Sequence, residues 1–258
     1  MEVKIKTKNK TFSFSIQEKA VNGITGSHYE ELVDGISLKD ILETEMTLDG
    51  KKLNRDEMRQ YKQKIGLVSQ EMDSICFRYK VYEYLYQRMR TNRVSLKDPR
   101  KKVMDTLKVV GLDVTYLNRD IQDLSSSERK LIQFGSVLMF NPEMIIMINP
   151  LEGFDRKTKK RIFSLIQKMK DPYDKTILFV SNQPDLLYQY TDYLIVEKNG
   201  ILLEGETKEV YQQVDFLKKN KILLPEIVEL TDLLRKKGMN IDYHRDLRDL
   251  MKDIYKHV

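Results

Sequence analysis

Two unbroken apolar runs, Met144–Ile148 and Thr176–Val180, stand out along the chain. Runs of this length without a polar break predict strands buried on both faces, as in a parallel sheet covered by helices. Between them Ile162, Leu165, Ile166 and Met169 recur at helical spacing over 157–169, which predicts an amphipathic helix. Strand, helix and strand make a βαβ unit. Its right-handed crossover would place both strands in one parallel sheet, with a ligand crevice at their carboxyl ends. A further short run at 64–70 predicts another strand, closed by Gln70, and Phe12 and Phe14 alternate with serines as strand residues facing a core. The middle of the chain changes period: residues 81–90 and 100–110 read as helices, the second stopped by Gly111. After Gly205 the pattern stays helical. Pro225 opens a helix with a stripe of Ile227, Leu230, Leu233 and Leu234, Gly238 ends it, and Leu247, Leu250, Met251 and Ile254 repeat the spacing. The expected class is α/β: a domain over 1–205 with a helical subdomain inserted at about 71–135, then a helical extension over 206–258.

At 258 residues, 41% hydrophobic and 33% charged, the chain has the make-up of an ordinary globular protein able to bury a full core. No apolar run approaches the roughly 18 residues that cross a bilayer. Residues 1–10 alternate lysine with polar residues instead of offering a signal-peptide core, so a cytoplasmic protein without a membrane span is expected. The single cysteine, Cys76, excludes an intrachain disulfide and reads as a small buried hydrophobe. With His28, His244 and His257 as the only histidines, no metal site is expected. The net charge of +6 comes from 45 basic and 39 acidic residues interspersed along the chain, so nucleic acid is not implied as a partner. Basic clusters at 156–161 and 218–221 read as wet helix faces, with attraction to an anionic membrane surface or an acidic segment as the lesser reading.

The chemistry concentrates at Gly23-Ile-Thr-Gly-Ser-His-Tyr-Glu-Glu31. A phosphate-binding loop is Gly, four residues, then Gly-Lys-Ser/Thr: backbone N–H groups cradle the phosphates, the lysine reaches the β and γ oxygens, and a hydroxyl holds Mg²⁺. Gly23, Thr25, Gly26 and Ser27 keep the outline, but His28 replaces the last glycine, Tyr29 the lysine and Glu30 the hydroxyl. Glu30 and Glu31 would then face a polyphosphate as like charges. Downstream, Leu124-Ser-Ser-Ser-Glu128 opens an apolar-periodic segment, and Asn141-Pro-Glu-Met-Ile-Ile-Met-Ile-Asn-Pro-Leu-Glu-Gly-Phe-Asp155 follows. Taken singly, Ser125, Ser126 and Ser127 with Glu128 also suit a helix cap, Tyr29 and Glu31 ordinary helix positions, and Gln70 a polar strand end.

In this order and spacing the segments resemble the nucleotide-binding subunits of ATP-binding cassette (ABC) transporters over nearly the whole chain, and within them the energy-coupling factor (ECF) vitamin-uptake ATPases. Three features carry the narrower resemblance. Gln70 is followed by Phe77 and Val81; Val110-Gly-Leu-Asp113 and Tyr116-Leu117 precede the Leu124 segment; and the tail from Glu209 through 224–238 looks like that group's C-terminal dimerisation domain. The resemblance implies a P-loop NTPase fold of the ABC type, and it implies roles. The family's Walker B strand ends in Asp-Glu-Pro, the Asp holding Mg²⁺ through water and the Glu positioning the attacking water; here Ile148 and Asn149 precede Pro150. Asn182 stands at the switch histidine. The signature Leu-Ser-Gly-Gly-Gln becomes Leu124-Ser125-Ser126-Ser127-Glu128. Two glycines that permit close backbone approach are lost, while Ser125 and a helix N-terminus leave room for residual phosphate affinity. Gln70 keeps the Q-loop residue, whose neighbourhood faces the membrane subunit in the family, and Asp155 keeps the D-loop residue at the dimer contact. An adenine-stacking aromatic has no evident place between Phe12 and Ala20.

The expected protein is thus a degenerate ATP-binding subunit of an ECF-like uptake transporter. It would be a pseudo-ATPase peripheral to the cytoplasmic face of the membrane, pairing with an intact paralogous ATPase and a transmembrane coupling subunit. ATP and Mg²⁺ would bind only at a composite site; otherwise no cofactor is expected. A stand-alone scaffold or regulator using the same fold is the rival of another class. A third reading, an active ATPase, lacks the metal ligand and charge neutralisation that hydrolysis needs.

Overall fold

A computed structural model of the chain describes residues 1–27, 29–69, 72, 74–92, 97–152 and 154–256. Its first elements are β1 (Glu2–Lys6), β2 (Thr11–Ser15), β3 (Val21–Gly26), α1 (Tyr29–Ile36), β4 (Glu45–Leu48), β5 (Lys51–Lys52) and α2 (Arg55–Gln63). There follow β6 (Ile65–Val68), α3 (Val81–Thr91), α4 (Pro99–Val109), α5 (Ser126–Leu138), β7 (Met144–Ile148) and α6 (Arg156–Tyr173). The chain closes with β8 (Thr176–Val180), α7 (Pro184–Tyr190), β9 (Tyr193–Glu197), β10 (Ile201–Glu206), α8 (Thr207–Gln212), α9 (Val214–Lys219), α10 (Glu226–Lys236) and α11 (Leu247–Lys256). The α/β class expected from the apolar runs holds. Two compact units divide the chain: Met1–Lys62 with Lys175–Val258, and Gln63–Asp174.

In the first unit β1 pairs antiparallel with β2 and β4, and β4 with β5. Alternation decides the faces. Val3, Ile5, Phe12, Phe14 and Met46 are buried, while Lys4, Lys6, Thr11 and Ser13 are exposed, the pattern of a sheet with one wet side. Beside it, β3 lies between β8 and β9, parallel to both, and β10 runs antiparallel beyond β9. Burial on both faces explains the unbroken apolar run of β8. In this unit α10 buries Val228, Thr231 and Asp232, while Leu230 and Leu233 are exposed. Likewise α11 buries Leu250 and exposes Leu247 and Met251.

In the second unit β6 and β7 pair in parallel, and α5 buries Leu131, Ile132, Phe134 and Val137. Asp98 caps α4 by accepting from the Lys101 amide, Pro99 begins it, and Gly111 follows it at φ +69, the left-handed stop that glycine favours. Cys76 is buried, as its residue type suggests. The strand expected in the 64–70 run is present as Ile65–Val68, with Leu67 43% exposed where it borders a surface cavity. No helix among the described residues is long and apolar enough to cross a membrane.

Candidate functional site

In the first unit the outline Gly23–Ser27 does not leave the sheet where a phosphate loop would. β3 continues through Gly26, with Gly23, Ile24, Thr25 and Gly26 in register against Leu194, Ile195, Val196 and Glu197 of β9. Main-chain groups committed to such a ladder are not free to converge on a phosphate. What remains before α1 is Ser27 and His28, and His28 lies outside the described residues. Gly26 has φ +147, and a Cβ there would stand 2.1 Å from the Glu197 carbonyl oxygen. Conformation and contact both require glycine at this position. Asn182, at the switch position, turns its side-chain oxygen towards the strand end, accepting from the Thr25 hydroxyl at 3.3 Å and the Gly26 amide at 3.4 Å.

Tyr29 is the first residue of α1, half-buried, and Glu30 and Glu31 fill its first turn. Carboxylates there stabilise the positive end of the helix dipole, the same field that a phosphate-binding helix offers its ligand. Glu31 is further tied to the Thr7 hydroxyl, from which it accepts. Sequence reasoning missed Glu197. This carboxylate has no exposed side-chain surface, pairs across from Gly26, and lies 3.6 Å from the Lys10 ammonium. The signal available was an acid closing the otherwise apolar stretch of β9.

In the second unit β7 ends at Ile148, and Asn149 adopts φ +43, a left-handed conformation that asparagine tolerates better than most residues. Ser125 is the N-cap of α5. Its hydroxyl accepts from the Glu128 amide at 3.3 Å, and the Glu128 carboxylate accepts from the Ser125 amide at 2.8 Å, a closed capping box. Ser126 and Ser127 open the helix. Glu128 also accepts from the Tyr116 hydroxyl, and Arg119 stands 3.7 Å away. These partners hold the Glu128 carboxyl below the usual glutamate range, the Tyr116 bond foremost, and the same bond raises Tyr116. The helix end that would meet a phosphate is therefore answered by the chain's own carboxylate. Asp155 caps α6, accepting from the amides of Lys157 at 2.8 Å and Thr158 at 3.0 Å, and the Thr158 amide leads in lowering its carboxyl. Gln70 lies outside the described residues. Among the described residues no group of His, Cys, Asp or Glu is placed to hold a metal ion.

The Glu128 network makes a pH prediction. Its folded-state pKa lies below the ordinary 4.5, so the stability it contributes is full above that value and is lost as pH falls through the lowered folded value. Urea unfolding should show Glu128→Gln less stable than wild type at pH 7, with the gap closing below pH 4.5. Ser125→Ala should cost about 1 kcal/mol at neutral pH. A Glu128→Gln gap that stays constant into acid would contradict the network.

Residues 36–152 match the family model for ABC transporters. The chain is 25% identical over 257 residues to the energy-coupling factor transporter ATP-binding protein EcfA3 of Oenococcus oeni, covering 96% of this chain and 89% of that protein. It is 28% identical over 212 residues to the energy-coupling factor transporter ATP-binding protein EcfA2 of Clostridium perfringens, covering 81% and 70%. Among solved structures, cbiO1 from Clostridium perfringens, part of the ABC transporter complex cbiONQ, aligns with a TM-score of 0.70 at 22% identity, over 89% of this chain and 98% of that one. The fold is that of an ABC ATPase cassette. The chain is thus similar to ABC transporter ATP-binding proteins, and the relatives it matches include the energy-coupling factor group that its motifs resemble.

Proposed function

We propose that this chain is a non-catalytic ABC subunit of an ECF-like uptake transporter, held at the cytoplasmic face of the membrane by a transmembrane coupling subunit and paired with an intact paralogous ATPase. The names of its relatives support the transporter reading. The observation that carries the non-catalytic reading is the pairing of β3 with β9 through Gly26. Tyr29, Ile148, Asn149 and Asn182 add to it, since they stand where the chemistry asks for lysine, aspartate, glutamate and histidine. Hydrolysis needs charge neutralisation, a metal and a positioned water together. A phenol neutralises nothing, an isoleucine offers a metal no oxygen, and an asparagine accepts no proton. In this reading Gly23, Thr25, Gly26, Ser27 and Gln70 are inherited outline. ATP and Mg²⁺ bind only at a composite site with the paralogue, to which this chain lends Ser125, Ser126 and Ser127, and Asp155 lies at the subunit contact. Residues 1–205 form the cassette, with its helical subdomain at about 71–135, and 206–258 serve pairing.

The extension provides the test. On α10 and the residue leading to it, Leu223, Leu230 and Leu233 are exposed, and Ile227 and Leu234 half-buried. They form an apolar side opposite Val228, Thr231 and Asp232. Burying a leucine contributes roughly 1.5–3 kcal/mol, so Leu230→Asp with Leu233→Asp is expected to abolish co-purification with the intact paralogue while melting stays near that of wild type. Retained pairing would mean that α10 does not carry the association.

A further inference from the structure

In the first unit α7 is tied at once to the β3 strand end and to α10. Just ahead of the helix, the Asn182 side-chain oxygen accepts from the Thr25 hydroxyl and the Gly26 amide. Gln183 is the N-cap and Pro184 the first residue of α7, and the proline ring fixes the backbone there, so the connection from Asn182 to the helix is short and stiff. Asp185, in the first turn, accepts from the Glu226 amide at 2.8 Å, across 41 residues of chain. That bond is a cap supplied from outside. Pro225 stands at the N-cap of α10 and makes no side-chain cap, and the Asp185 carboxylate answers both an orphan amide and the positive end of α10.

The packing behind Asp185 is unfinished. Tyr188 of α7 and Tyr211 of α8 meet edge to face, with ring centres 5.7 Å apart and planes at 83°. Both are fully buried, and among the described residues neither hydroxyl has a hydrogen-bond partner. Buried donors left unmet are costly and rare. Burial raises the Tyr211 phenol, and the Asp185 charge raises it further. The acid that caps α10 is therefore also an acid whose field reaches the unmet Tyr211 hydroxyl.

We propose that α7 is a two-position lever between the β3 strand end and α10, with Asp185 accepting from the Glu226 amide in one position and from the Tyr211 hydroxyl in the other. Each position satisfies one donor and leaves the other unmet, which keeps the two close in free energy and lets either end bias the balance. A partner seated on α10 is then felt at Gly26, and one seated beside Asn182 is felt at α10, by the same factor in both directions. This regulatory meaning rests on the pairing proposed for α10. The lever itself is tested on the chain alone, so the two can fail separately.

Amide hydrogen exchange of the full chain, followed by NMR with the β8 amides as the reference for global opening, reads both ends. Tyr211→Phe removes the second position: its Glu226 amide is expected to exchange about 5-fold slower than in wild type, and the chain to melt at or above the wild-type temperature. Asp185→Ala is expected to speed exchange about 5-fold at Glu226 and also at Gly26, and Asp185→Asn, which keeps an acceptor oxygen, to return both towards wild type. Asn182→Ala is expected to change exchange at Glu226 by a similar factor. A Tyr211→Phe chain that melts lower, or whose Glu226 amide exchanges as in wild type, overturns the lever. So does an Asp185→Ala effect confined to α10, which is that of a helix cap alone, or an Asn182→Ala chain with unchanged exchange at Glu226.

Discussion

Tyr29→Lys is expected to leave the chain without micromolar affinity for Mg-ATP. The new ammonium would begin α1 with Glu30 and Glu31 in the same turn, and their negative charges would still oppose a polyphosphate at that helix end. The backbone of Gly23–Gly26 would still be paired with β9, and Ile148 would still bring nothing to a metal. Groups that act as a unit return little when one member is restored. A single charge-assisted hydrogen bond contributes about 1.5–3 kcal/mol, which is roughly 10- to 100-fold and far from a nucleotide site. Micromolar Mg-ATP binding by this single variant, measured by calorimetry, would show that the strand end opens into a loop after all.

Gly26→Ala is expected to be among the most damaging single substitutions in the chain, even though it adds one methyl group. That methyl would sit 2.1 Å from the Glu197 carbonyl oxygen and 2.8 Å from its carbon, at φ +147. Strain and overpacking together cost about 2–5 kcal/mol, or a fall in melting temperature of roughly 5–15 °C for a protein of this size. Gly200 supplies the control, since it has φ +125 and nothing lies within 4 Å of the place its added methyl would take. Gly200→Ala therefore bears strain without the clash and should melt distinctly higher. Equal melting of the two variants would mean that Gly26 is not held against β9.

The same segment marks where the sequence stops being legible. β7 and β8 follow from their runs because an unbroken apolar stretch admits few other placements. The helix at 157–169 is found with its core-facing residues, and only its ends move, to Arg156 and Tyr173, once the Asp155 cap sets the start. β3 is harder. Glycine is depleted in strands and Gly-x-x-Gly reads as a turn, so Gly23–Gly26 looks like a loop. Tertiary pairing on both sides, with Ile24 fully buried, keeps it extended. α10 is legible as a helix with an apolar stripe, but the side it buries, Val228 with Thr231 and Asp232, is the opposite one, and Leu230 and Leu233 stay exposed. Amphipathic spacing identifies an apolar face but not what covers it. Glu197 was invisible as a buried partner of Lys10 because the charge of a residue is written in the sequence and its desolvation is not.

Titrating Mg-ATP into the purified wild-type chain, with phosphate release followed in the same samples, is the most direct test of whether this subunit binds partners without catalysing. Expected is no saturable binding below the millimolar range and no phosphate release above the protein-free rate, with or without Mg²⁺. Micromolar binding accompanied by Mg²⁺-dependent turnover that Asn149→Ala abolishes would contradict the non-catalytic assignment.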